Sequence, residues 1–171
     1  MTVMIERIRP EHVEGYHHVE DIVSRERKYL SYLDAGPVAE YHDFVPKGIA
    51  KGHPRFVAVD GVTVIGWCQI IPNSIPVHAH NGYLGMGLLP EYRGRGIGRA
   101  LIETTLAEAC RIGLARIGLS AFADNTRAIA LYEGAGFKRE GQLRDFALID
   151  GKYTDFIMIS LVFRLDDKSQ P

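Results

Sequence analysis

The sequence is short of the features that mark several large protein classes. Among 171 residues there are two cysteines, Cys68 and Cys110. They stand apart in apolar surroundings with no metal-type spacing, so a disulfide scaffold or a cysteine metal cluster is excluded and reduced thiols are expected. No apolar run reaches the length that spans a bilayer, and Met1 to Pro10 carries Glu6, Arg7 and Arg9 where a signal peptide would need an apolar core. A soluble cytoplasmic protein with no membrane partner is the expectation. An excess of either charge is also missing: the formal net charge is −1, which argues against a broad nucleic-acid surface and leaves room only for a local basic site. Repeats, low-complexity runs and linkers are lacking. At 46% hydrophobic and 24% charged residues, the chain has an ordinary globular composition. That predicts a single domain over residues 1–165 followed by a polar tail from Asp166 to Pro171.

What is present is concentrated in Arg93-Gly94-Arg95-Gly96-Ile97-Gly98-Arg99, between an apolar run and a helical one. Glycines at alternate positions let backbone N–H groups approach a ligand closely. If a helix opens at Ile97, its unpaired first-turn donors, the positive end of its dipole and the arginines together form an anion cradle. A Walker loop would need Lys-Ser/Thr after the last glycine, but Gly98 is followed by Arg99-Ala100. A dinucleotide loop would space its glycines G-x-G-x-x-G. Neither pattern fits, so a Rossmann-type nucleotide protein is disfavoured.

Hydrophobic periodicity supplies the surroundings. Val3, Ile5 and Arg7 suit a first strand, and Val13, Tyr16, Val19, Ile22, Val23 and Leu30 predict one or two helices over residues 12–33. Pro37 opens another helix that Pro46 ends or kinks, with a loop from Gly48 to Pro54. Asp60-Gly61 joins a hairpin, and residues 80–89 form a glycine-rich strand that runs into the cradle. A helix from Ile97, a strand at residues 117–121, a helix over 126–134 capped by Asp124 or Asn125, and a last hairpin turning at Asp150-Gly151 complete the order. The order predicts helices on a mixed sheet in an α/β or α+β fold.

Arg93-x-x-Gly96-x-Gly98, followed by Asn125-x-x-Ala128-x-x-Leu131-Tyr132-x-x-x-Gly136-Phe137, resembles the GCN5-related N-acetyltransferase superfamily. The resemblance implies a mixed, mostly antiparallel central sheet of about seven strands flanked by about four helices, with acetyl-CoA as co-substrate and an amine as acceptor. Carried over by position, the N–H groups of Gly94, Arg95, Gly96, Ile97, Gly98 and Arg99 would hold the pyrophosphate, with at least one of Arg93, Arg95 and Arg99 on a phosphate. Met86, Gly87 and Leu88 would offer strand backbone to the pantetheine and thioester, Asn125 would bond the arm, and Tyr132 would protonate the leaving sulfur. Members of the superfamily often dimerise, which makes the last two strands a candidate pairing surface.

The general base is left open. Ser120 and Tyr83 stand where many members carry an acid. Glu26, His78, His80, Asp145 and a water chain are the candidates, Glu26 being the one in the acidic stretch 20–43. A metal held by His78 and His80 lacks a third ligand, so none is expected. The alternative to an enzyme is a non-catalytic acyl-CoA sensor or interaction module.

Overall fold

The computed structural model describes residues 3–163; the expected tail from Asp166 and the domain boundary before it lie outside them. Seven strands form one sheet: β1 Val3–Arg7, β2 Arg55–Asp60, β3 Thr63–Pro72, β4 Asn81–Leu88, β5 Arg116–Phe122, β6 Lys138–Ile149 and β7 Lys152–Val162. Their spatial order is β1-β2-β3-β4-β5-β7-β6. Every neighbouring pair is antiparallel except β4 and β5. Four α-helices accompany the sheet: α1 Val13–Arg25, α2 Val38–Ala50, α3 Ile97–Arg111 and α4 Thr126–Gly134. The mostly antiparallel mixed sheet expected from the sequence is the one observed. No helix among the described residues is long and apolar enough to cross a membrane.

The one parallel pair shapes the molecule. β4 and β5 are in register only from Asn81–Arg116 to Tyr83–Gly118, whereas β4 pairs with β3 along its whole length. Beyond Tyr83 the two strands part. The N–H of Leu89 bonds the carbonyl of Ile65 on β3 at 2.9 Å. By the period-two alternation of a strand, the polar groups of Met86 and Leu88 therefore face the gap.

α1 covers one face of the sheet and α3 the other. Val13, Tyr16, Val19 and Val23 are buried at helical spacing, and each side chain removed from water in this way contributes about 1.5–3 kcal/mol. Tyr16 meets Trp67 edge-on at 5.5 Å, and the indole crosses so close to Gly87 that an added Cβ there would lie 2.1 Å from it.

Two helix boundaries differ from the sequence expectation. The apolar spacing carries α1 on to Leu33, yet the helix ends at Arg25, because Arg27 takes φ +54° and the side chains of Glu26 and Arg27 turn to Arg93 and Asp150. α2 runs through Pro46 to Ala50, where the sequence suggests a stop and a loop from Gly48. The ring forfeits one helix hydrogen bond, but Tyr41, Val45 and Gly48 are buried on either side of it. A bulge in β6, where pairing with β7 shifts between Leu143 and Ala147 and Asp145 takes φ +52°, carried no signal in the local pattern.

Candidate active site

The glycine-rich stretch closes the gap between β4 and β5. Arg93 N–H turns back to Pro90 O at 3.2 Å, and Ala100 N–H is the first to enter the α3 ladder, on Gly96 O at 3.1 Å. Between them, the N–H groups of Gly94 to Arg99 have no backbone partner among the described residues. Gly94 and Gly96 sit at φ +79° and +81°, the left-handed region that residues with a Cβ enter at a cost. A run of unpaired donors at a helix N-terminus is an anion site built from backbone.

This loop, the exposed backbone of β4 and the first turns of α4 line one cavity of about 650 Å³. Of the residues singled out from sequence, Met86, Gly87, Leu88, Arg93, Gly94, Gly96, Gly98, Arg99, Asn125 and Tyr132 line it. Asn125 caps α4, its Oδ1 accepting the N–H of Ala128 at 3.2 Å, which leaves its Nδ2 hydrogens to spend elsewhere. Tyr132 is 8% exposed. Burial, with Cys68 and Tyr83 nearby, raises its pKa well above that of a free phenol, so it stays protonated at neutral pH. Burial likewise pushes the Cys68 thiol up to about 12, which leaves it unreactive.

Several side chains are placed differently from the sequence expectation. Arg93 donates through Nε to Leu88 O and through Nη1 to Glu26 Oε2, both at 2.9 Å, and its Nη2 bonds Glu26 Oε1. Its guanidinium also stacks on Tyr29 at 4.7 Å. Arg93 is therefore a clamp between β4 and the end of α1. Glu26 has both carboxylate oxygens on that guanidinium. Arg95 stacks on Tyr92 and lies outside the cavity lining, and Ile97 is a core side chain. Arg99 lines the cavity but pairs with Glu103 at 2.8 Å.

Lys28, Tyr29 and Arg127 line the cavity and were not read from sequence. Arg127 had a signal, standing two residues after the Asn125 cap; its Nη2 would lie 3.0 Å from a Cβ on Gly94. Lys28 and Tyr29 had none, because the chain there reads as helix.

Tyr83 and Ser120 face each other across β4 and β5, the hydroxyls 2.7 Å apart, and Ser120 N–H donates to Tyr83 OH at 3.1 Å. His78 ends a short 3-10 helix before β4, and His80 precedes the strand, at the end opposite Met86. Among the described residues, no three His, Cys, Asp or Glu side chains converge as a metal site would require.

The sequence profile of the Acetyltransferase (GNAT) family matches residues 16–137. The chain belongs to this family. Among individual GNAT relatives, the chain is 26% identical over 150 residues to L-amino acid N-acetyltransferase of Escherichia coli, covering 86% of this chain and 92% of that one. It is 38% identical over 88 residues to mycothiol acetyltransferase of Geodermatophilus obscurus, where the match covers 49% of this chain and 28% of the relative's length. A GNAT phosphinothricin acetyltransferase from Sinorhizobium meliloti, solved in complex with acetyl-CoA, superimposes with a TM-score of 0.90 at 18% identity, covering 100% of this chain and 94% of that one. At that identity the likeness establishes the fold.

Proposed function

We propose that this protein is an N-acyltransferase that moves an acetyl group from acetyl-CoA to a primary amine by direct attack, with both substrates bound together. The observation that carries this reading is the run of unpaired N–H groups from Gly94 to Arg99, opening into the same cavity as Asn125 and Tyr132. The loop donors hold the pyrophosphate, with Arg127 and Lys28 as the nearest side-chain cations, and Asn125 Nδ2 holds the pantetheine arm. The backbone N–H of Met86 or Leu88, turned into the β4–β5 gap, meets the negative charge that develops on the thioester oxygen. Acetyl-CoA supplies the activated acyl group.

One proton must leave the amine and one must reach sulfur. Tyr132 donates to the departing sulfur. Its raised pKa keeps it protonated but also makes it a weak acid, so it recovers its proton from the amine side as the C–S bond breaks. With Glu26 held by Arg93, the amine proton leaves through water beside Tyr83 and Ser120. Turnover then tracks the unprotonated fraction of the amine and rises with pH towards the amine's own pKa.

Relatives of this chain act, by their names, on L-amino acids, spermidine and the alanine of ribosomal protein bS18, which supports an amine acceptor here. The free thiols are in keeping with a cytoplasmic setting. Thiol release from acetyl-CoA with a panel of amines tests the reading. Amine-dependent release is expected; calorimetric binding of acetyl-CoA with no transfer to any amine would favour the sensor.

A further inference from the structure

The face of the sheet under α1 has an open floor beside the reaction gap. Residues paired across strands share a face, so Tyr83 and Gly85 of β4, Gly118, Ser120 and Phe122 of β5, and Phe156 and Met158 of β7 all present to it. A Cβ on Gly118 would meet nothing within 4 Å, and one on Gly85 only the Gln69 Nε2 at 3.9 Å. The Oε1 of Gln69 is buried there without a hydrogen-bond partner. The floor is therefore free of side chains where the strands part and offers the hydroxyl oxygens of Tyr83 and Ser120 to an N–H.

The wall beyond it is apolar. Phe122 and Phe156 stack edge-on at 4.4 Å, and Phe156 meets Phe146 at 5.2 Å. Phe146 and Phe156 join Leu33 and Leu148 around a second cavity of about 330 Å³. Phe146 and Leu33 are 61% and 49% exposed, a surface that water does not favour unless something covers it. Arg27, in its left-handed turn, is ion-paired to Asp150 in the β6–β7 hairpin turn and fixes the loop after α1 against that hairpin.

Most acids around this bowl already hold a partner. Asp21 holds Arg25 and the N–H of Ala35, and Asp34 holds the N–H of Gly36. Glu26 holds Arg93, Asp150 holds Arg27, and Asp155 holds Gln142 and the N–H of Asp145. Asp145 alone on the β6 rim has no side-chain bond recorded among the described residues.

We infer that the acceptor is a primary amine with an aromatic or branched aliphatic group on the neighbouring carbons, seated against Phe146, Phe156 and Leu33, and not a polyamine. This rests on the transferase reading above. The amine lies beside the Tyr83–Ser120 pair, whose hydroxyl oxygens accept its hydrogens, and the apolar group extends past Phe122 to Phe156 and the second cavity. A polycation would find on the β6 rim, among the described residues, only Asp145 without a side-chain partner, against a wall that is otherwise apolar.

The test compares phenethylamine and leucinamide with spermidine in thiol release from acetyl-CoA. It is joined by calorimetric titration of phenethylamine into protein saturated with unacylated coenzyme A. The apolar amines should exceed spermidine in kcat/KM by about tenfold or more, and Phe146→Ser, a change at an exposed position, should remove about that factor for them alone. Phenethylamine binding to the coenzyme complex should weaken in parallel. Preference for spermidine that Asp145→Asn abolishes, or apolar amines indifferent to Phe146→Ser in both rate and binding, would overturn the inference and leave the transferase standing. Absence of release with every amine would overturn the transferase reading and this one with it.

Discussion

The two walls of the cleft are built from different parts of the chain. The wall proposed to hold the coenzyme is mostly backbone, the unpaired N–H groups of Gly94 to Arg99 and the free edge of β4, held in place by glycine conformations and one helix cap. The wall proposed for the acceptor is side chain: Phe146 on Phe156 within one hairpin, and Tyr83 on Ser120 and Arg27 on Asp150, which bring together residues far apart in sequence. Backbone donors are the same whatever the side chains, so the first wall can stay constant while the second is rewritten. Chemistry common to a family can thus sit opposite a specificity that varies.

The comparison can be broken most severely at the point where the walls meet. Tyr132→Phe keeps the buried ring and removes the donor, and should lower kcat by about 10²–10³-fold with little change in the acetyl-CoA dissociation constant. A variant with unchanged turnover would show that sulfur is protonated from elsewhere. Within the coenzyme wall, Gly96→Val puts a β-branched residue at φ +81°, where strain of about 1–3 kcal/mol is expected. Calorimetry should then show acetyl-CoA binding weakened by about 10–100-fold, with the amine preference unaltered. Arg127→Gln should weaken coenzyme binding by about tenfold, an effect that shrinks as salt is raised.

The smallest effect separates walls from scaffold. Glu108, bonded by Arg111 and Arg7, and Glu140, bonded by Arg116, are each held down to about 2. A depressed carboxyl pKa stabilises the fold above the ordinary carboxylate range, and that stability is lost as pH falls from there towards 2. Both pairs are partly solvated, so the contribution is modest and salt-sensitive. Thermal unfolding from pH 5 to 2 should show a decline that Glu140→Gln makes shallower.

The same contrast explains what could be read in the sequence. The coenzyme wall is local: Gly94 to Arg99 and Asn125 to Tyr132 are short stretches whose glycines, cap and helical spacing state their own geometry. The strands, the Asp60-Gly61 and Asp150-Gly151 turns and the start of α2 at Pro37 were legible for the same reason. The acceptor side is set by partners 37, 67 and 123 residues apart, Tyr83 with Ser120, Glu26 with Arg93 and Arg27 with Asp150. Apolar spacing could not report that α1 unwinds at Arg27, nor that Glu26 is drawn into an ion pair. Arg93 read as a free cation because the carboxylate that claims it lies on another element.

Both walls must be occupied at once if the amine attacks the thioester directly. The most direct measurement is the initial rate of thiol release over a grid of acetyl-CoA and phenethylamine concentrations. Double-reciprocal lines that intersect are predicted, as a ternary complex requires; parallel lines would contradict it, because they report an acyl group resting covalently on the protein between the two substrates.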